Sequence, residues 1–278
     1  MCAFTLSREE MTRLPDAAQT ESDFLNMQHV NVARGDAIVL HDISLRIATG
    51  EHVAILGLNG CGKSTLIKTI TCECYPIVAP ETSIHLLGRE RWDVSQLRQH
   101  LGVVEAHLPG ERTGVTCGID AVVAGFFSAS TLWPNLHVTP EMRTRAHSAL
   151  ELMQATHLGE KLVGQMSAGE QRRIMIARAL VHQPGMLLLD EPSNALDLAA
   201  QRELREALRL VAQQGTGIIM VTHHLADILP EITRVIMMRF GRIVSDGSKD
   251  ELITPEKLRD LFGVDVTLTE RDGYWHSW

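Results

Sequence analysis

The sequence lacks most of what would place a chain within a membrane or on a nucleic acid. No apolar run reaches the about eighteen residues that a spanning helix needs. The longest apolar patches, such as 121–127, are short and interrupted by Gly125. Positive charge is in deficit: 26 Lys and Arg stand against 34 Asp and Glu, a net charge of -8. A general nucleic-acid binder would show a basic excess, so nucleic acid is not an expected partner. Residues 1–19 have neither the basic start nor the apolar stretch of a signal peptide. There are five cysteines in 278 residues, an odd number that points to reduced thiols in the cytosol rather than a disulfide framework. Cys72 and Cys74 form a lone Cys-x-Cys, and a metal site would need further ligands nearby. No internal repeat is visible.

What the chain does have is enough apolar material for a full core. Hydrophobic residues make up 45% and charged residues 22%, proportions ordinary for a globular protein. The length allows one large domain or two small ones. Residues 1–24 read as an N-terminal tail or a capping helix. Short β-type runs follow at Gln28–Val32, Ile38–Leu40 and Ile43–Ile47. His52–Leu56 is nearly all apolar, as a buried parallel strand would be. A helix is expected over Lys63–Thr71. Two short strands around Gly88 and a helix near Val94–His100 occupy 83–104. The stretch at about 108–168 has few strand signals and apolar residues at helical spacing, which predicts a helical insert. Beyond it the pattern predicts a helix at Ser167–Val181, an apolar strand at Met186–Leu189 and a helix at Leu198–Gln213. A third apolar strand is expected at Gly217–Thr222, a hairpin around Phe240-Gly241, and a helix over 249–262. Residues 251–278 read as a C-terminal extension, with Tyr274, Trp275 and Trp278 packed on the domain or meeting a partner. Apolar strands alternating with helices predict an α/β fold with a parallel sheet.

Two segments carry the chemistry. Gly57-Leu58-Asn59-Gly60-Cys61-Gly62-Lys63-Ser64 fits G-x-x-x-x-G-K-[ST], after an apolar strand and before a helix, as that motif requires. Glycines let the backbone wrap around phosphate oxygens, and amides at the helix start point at the anion. Lys63 supplies a cation for the β- and γ-phosphates. The Ser64 hydroxyl is a hard oxygen ligand for Mg²⁺, and Thr65 is placed for the α-phosphate. The second segment, Met186-Leu187-Leu188-Leu189-Asp190-Glu191, is an apolar strand ending in two acids at the edge where α/β sheets bind ligands. Asp190 fits a metal-holding role, and Glu191 can face the γ-phosphate and polarise the attacking water.

With these motifs in place, residues of about 25–250 resemble the nucleotide-binding subunits of the ABC ATPase superfamily. Met166-Ser167-Ala168-Gly169-Glu170 stands where the family signature belongs, with Met, Ala and Glu in place of the usual Leu, Gly and Gln. Gln171–Leu180 continues it as a helix that Ser167 can cap. Asn194-Ala195-Leu196-Asp197 is similar to the D-loop, and Thr222-His223 to the switch histidine, with His224 adjacent. Two positions depart from the family. After Leu101-Gly102-Val103-Val104, the Q-loop position reads Glu105-Ala106-His107 without a glutamine, so Glu105 or His107 substitutes or the role is lost. The base-stacking aromatic is also absent, and Arg34 either stacks on the base or is solvated. Gly88–Asp93, the long insert and the Asp272–Trp275 ending resemble molybdenum-type, photorepair-type and metal-chelate importer ATPases.

The resemblance implies an ABC-type P-loop core with an antiparallel β subdomain and a helical insert, over 25–250. It implies ATP and Mg²⁺ bound between two chains arranged head to tail, as a homodimer or with a paired ATPase subunit. Gly57, Leu58, Asn59, Gly60, Cys61, Gly62, Lys63, Ser64 and Thr65 would bind nucleotide from one chain, and Ser167 and Gly169 from the other. Glu191, His223 and Lys63 would be catalytic, and Ser64 and Asp190 would hold the metal. Asp197 would reach across the dimer. A separate transmembrane permease is the expected partner, with the chain on the cytoplasmic face of the inner membrane. The alternative is a regulatory or repair ATPase without a membrane partner.

Overall fold

The computed structural model describes residues 23–105 and 111–278. It opens with two twelve-residue strands, β1 (Asp23–Arg34) and β2 (Ala37–Ala48), paired antiparallel. The three short β runs expected from sequence are thus two long strands. Register shifts between Met27 and Val30 and between Val30 and Val32 break the alternation that would have revealed them. β1 already starts at Asp23, and Phe24 is fully buried, so these residues belong to the fold rather than to the expected tail. The rest of that tail, 1–22, lies outside the described residues.

Next come β3 (His52–Gly57), α1 (Lys63–Ile70), β4 (Ser83–Leu86), α2 (Val94–His100) and β5 (Leu101–Val104). β4 joins β1 and β2 in a three-stranded sheet of order β2-β1-β4. The helical region contains α3 (Glu111–Gly114), α4 (Gly118–Val123) and α5 (Pro140–Leu152), then α6 (Ala168–Leu180). The chain continues through β6 (Met186–Asp190), α7 (Leu198–Gln213), β7 (Gly217–Thr222), β8 (Arg234–Arg239) and β9 (Arg242–Ser248). It closes with α8 (Lys249–Leu252), α9 (Pro255–Phe262), β10 (Leu268–Arg271) and β11 (Tyr274–Ser277).

The main sheet has the order β5-β6-β7-β3-β8-β9, parallel except for β9. Side-chain alternation assigns its two faces to two cores. Ala54, Leu56, Leu187, Leu189, Ile218 and Met220 face one, shared with the helical region, α7 and the C-terminal elements. Val53, Ile55, Met186, Leu188, Ile219 and Val221 face the other, shared with α1 and the antiparallel sheet. Both faces are covered, so these strands read as continuous apolar runs.

The C-terminal hairpin β10–β11 was not expected. Its two-residue turn, Asp272-Gly273, has positive φ at both positions, 55° and 80°, the pairing a tight hairpin favours. Tyr274 and Trp275 pack on the larger core, whereas Trp278 stays 71% exposed. Among the described residues no helix is long and apolar enough to cross a membrane.

Leu188 is fully buried on an interior strand. Leu188→Ala should cost about 2–5 kcal/mol, read as a lower urea midpoint; an unchanged midpoint would contradict this placement.

Candidate functional site

The carboxyl ends of β3, β6 and β7 meet at one edge because the strands are parallel and in close register. Leu56 pairs with Thr222, and Asp190 with Val221. The glycine-rich loop leaves β3 and feeds α1, whose N-cap Gly62 has φ 108°, a conformation that favours glycine. At Gly57 a Cβ would lie 2.5 Å from the Met238 carbonyl oxygen, so no side chain fits there. The loop is tied down from outside by the Gly241 amide, which donates to the Cys61 carbonyl at 2.9 Å.

Lys63 is only 5% exposed. Its ammonium donates to the carbonyls of Gly57 at 2.7 Å and Leu58 at 3.0 Å. Leu58, Asn59, Gly60 and Ser64 are exposed, whereas Cys61 and Thr65 are buried, and burial pushes the Cys61 thiol up. A cavity of about 270 Å³ is lined by Asn59, Gly60, Gly62, Lys63, Ser64, Thr65, Glu191, Val39 and Arg34. Arg34 therefore stands on the wall of the phosphate-loop cavity, and among the described residues no aromatic side chain lines it.

Glu191 follows β6 with φ 45°. Its amide donates to the Val221 carbonyl at 2.8 Å, which ties the exit of β6 to the neighbouring strand β7. Its carboxylate lies 2.9 Å from His223 Nδ1 and 3.9 Å from Lys63 Nζ. Of the two adjacent histidines, His223 makes the carboxylate contact. His224 is exposed, and its ring lies 3.9 Å from that of His223, centroid to centroid. Thr222 below them donates to the buried Asp227 carboxylate at 2.7 Å, holding the β7 exit. Ser64 and Asp190 offer a hydroxyl and a carboxylate, an oxygen-only set suited to a hard divalent ion. No group of three or more His, Cys, Asp or Glu among the described residues could hold a metal. These two donors therefore suit an ion that keeps phosphate and water ligands.

Ser167 and Gly169 do not line this cavity. Ser167 caps α6: its hydroxyl accepts from the Glu170 amide at 3.2 Å, and the Glu170 carboxylate accepts from the Ser167 amide at 2.8 Å. Glu170 also pairs with Lys161 at 2.7 Å, and that hydrogen bond holds its carboxyl below the usual range. Ser167 and Glu170 thus form a capping box, which the usual glutamine would also satisfy; what the glutamate adds is the ion pair with Lys161. Gly169 is needed inside the chain as well, since a Cβ there would lie 2.6 Å from Ala200 Cβ. Asp197 caps α7 through the Ala200 amide at 2.8 Å. At the expected Q-loop, the Glu105 side chain is exposed, and His107 lies outside the described residues. Sequence reasoning missed Arg172. It lies on α6, is 1% exposed, and donates to the Glu105 carbonyl at 2.5 Å. A second cavity, about 380 Å³, runs between β5 and α6, past Glu105 and Arg178, and includes no phosphate-loop residue.

A glycine loop between strand and helix, with acids and a histidine on the neighbouring strand ends, defines a P-loop nucleoside triphosphatase. The ABC transporter family model matches residues 40–194. The hemin import ATP-binding protein HmuV of Bradyrhizobium diazoefficiens is 31% identical over 91% of this chain and 93% of its own length. The phosphonates import ATP-binding protein PhnC 2 of Nostoc sp. is 34% identical over 82% of this chain and 93% of its own. Among solved structures, cbiO1 of Clostridium perfringens, part of the ABC transporter complex cbiONQ, superposes with a TM-score of 0.72. It is 27% identical and covers 86% of this chain and 94% of its own. The chain belongs to the ABC transporter family: it is an ATP-binding, ATP-hydrolysing subunit.

Glu170→Gln keeps an acceptor for the cap but removes the charge paired with Lys161. The wild-type carboxyl is held low, so its stabilisation is present above the ordinary carboxylate range and is lost as pH falls through the folded value. Wild type should therefore be the more stable at neutral pH, and the gap should close in strong acid. A gap in unfolding midpoint that does not change with pH would contradict the ion-pair account.

Proposed function

We propose that this chain energises an importer of a small solute, with two ATPase copies facing head to tail on a separate transmembrane permease. The observation that carries the site chemistry is the Glu191 carboxylate held between His223 and Lys63 on the wall of the phosphate-loop cavity. Import is supported by two relatives named for it, one for hemin and one for phosphonates. Those cargoes differ in chemistry, so the reading stops at a small solute. A cytoplasmic position at the inner face of the membrane follows from the permease.

In this reading the amides of 57–63 and the Lys63 ammonium cradle the phosphates of ATP. Lys63 exchanges its two loop carbonyls for phosphate oxygens. Ser64 and Asp190 would hold Mg²⁺, which would supply charge neutralisation at the phosphates. Glu191 orients water for in-line attack on the γ-phosphorus, and His223 keeps the carboxylate aimed. The bond from the γ-phosphorus to the bridging oxygen breaks, leaving ADP and inorganic phosphate. The partner copy's signature segment, equivalent to Ser167–Gly169, closes over the γ-phosphate. Loss of that phosphate removes contacts available only in the closed pair, so the pair opens. The cleft past Glu105, between β5 and α6, is the face offered to the permease.

Glu191→Gln should lower turnover by about 100-fold or more and accumulate an ATP-bound dimer, seen by light scattering after size exclusion. A variant that stays monomeric with ATP and Mg²⁺ would overturn the paired site. A tagged chain recovered from detergent-solubilised membranes should bring an integral membrane protein with it. Recovery of the chain alone would overturn the importer reading.

A further inference from the structure

His223 lies 2.9 Å from the Glu191 carboxylate, so whatever holds His223 also sets the aim of that carboxylate. Its neighbours in the chain grip it from both sides. The His224 amide donates to the Thr222 hydroxyl at 3.0 Å, and that hydroxyl donates to the Asp227 carboxylate at 2.7 Å. A single helical turn, Leu225–Asp227, completes the loop. The turn also has support from outside. Arg205, half-buried on α7, donates from Nη1 to the Ala226 carbonyl at 3.2 Å. The Arg205 guanidinium in turn lies 5.4 Å from the centre of the Tyr274 ring, within the range at which a cation is attracted to an aromatic face. Tyr274 belongs to β11, which runs beside Leu225–Asp227. The tip of the same hairpin presses on the same loop: a Cβ at Gly273 would lie 2.9 Å from Pro230 Cβ. No residue of β10–β11 lines the phosphate-loop cavity.

We propose that Arg205 is a positioning residue for ATP hydrolysis and that the β10–β11 hairpin is the strap that seats it. Tyr274 holds the Arg205 guanidinium, Arg205 holds the Ala226 carbonyl, and the turn holds His223 against Glu191. The inference rests on the roles given above to Glu191 and His223, and extends their support to the C-terminal hairpin. Neither Arg205 nor Tyr274 lines the phosphate-loop cavity, so both act on geometry alone. A group held by its surroundings need not lose its freedom at the moment of reaction. With the strap loosened, the phosphate loop would still bind ATP, but the carboxylate would be aimed for a smaller fraction of the time. The effect therefore falls on turnover and not on binding.

The test uses the full chain with ATP and MgCl₂. Arg205→Met removes the donor and the charge at similar length, and Tyr274→Ala removes the ring. Each should lower kcat about threefold or more while KM for ATP stays within about twofold. Tyr274→Phe keeps the ring face and should stay within about 1.5-fold of the wild-type kcat. The amides of Asp227 and Ile228 donate to the carbonyls of His224 and Leu225. They should exchange hydrogen faster in Tyr274→Ala, while the amides of α1 keep wild-type rates. A hairpin that only adds stability would lower the urea midpoint and leave kcat of the folded variants unchanged. Wild-type kcat in either folded variant overturns the proposal, and so does a loss of kcat that Tyr274→Phe shares. If neither variant folds, hydrogen exchange of wild type in rising urea decides. The amides of β10–β11 and of residues 227 and 228 should lose protection together, and separate loss overturns the strap. Wild type that binds ATP without hydrolysing it overturns the roles of Glu191 and His223 together with this inference. Wild type that hydrolyses ATP, with both variants unchanged, overturns the inference alone.

Discussion

Parallel pairing of β3 with β7, and of β7 with β6, holds Leu56 beside Thr222 and Asp190 beside Val221. Every group at the candidate site depends on that register. A slip of one residue would turn each strand's side chains to the opposite core. Because both cores are lined by buried apolar side chains, the register is strongly specified. The phosphate loop, the Asp190-Glu191 pair and His223 are then delivered to one edge without further steering. The glycine at 57 is part of the same constraint, since the Met238 carbonyl on β8 occupies the space that a side chain would need.

On that edge, charge is balanced locally. Lys63 is almost buried and satisfies its ammonium with the carbonyls of its own loop. Phosphate oxygens replace those carbonyls by presenting a stronger acceptor in the same place. Glu191 is anchored at its backbone by β7 and at its carboxylate by His223. The groups that would act on water are thus held by the sheet, while Ser167 and Gly169 are held on α6, away from the cavity. A site divided in this way, between rigid strand ends and a separate helix, suits an enzyme whose activity depends on two copies closing.

Legibility in the sequence followed burial. β3, β6 and β7 were readable because strands covered on both faces are continuous apolar runs, and the loop after β3 carries a motif that only one geometry fits. β1 and β2 were read as fragments because their register shifts interrupt the period of two. The β10–β11 hairpin has a usable signal in Asp272-Gly273, a pair that favours a tight turn with positive φ at both positions. Glu170 read as a departure from a family pattern, although Ser167-x-x-Glu170 is itself the spacing of a capping box. Asp197 was legible as a family position, but its cap on Ala200 shows only in three dimensions.

Arg172 was not legible at all, and the reason is physical. An arginine in a helical run of Gln171-Arg172-Arg173 reads as a solvated face, since arginine is rarely buried unless paired. The acceptor of its hydrogen bond, the Glu105 carbonyl just past β5, is far away in sequence. The same arrangement bears on the missing glutamine. A contact to the backbone carbonyl of residue 105 survives any side chain at that position, and the exposed Glu105 side chain takes no part in it. The demand of that contact falls on residue 172, whose length carries a donor from α6 to the end of β5 while its side chain stays buried.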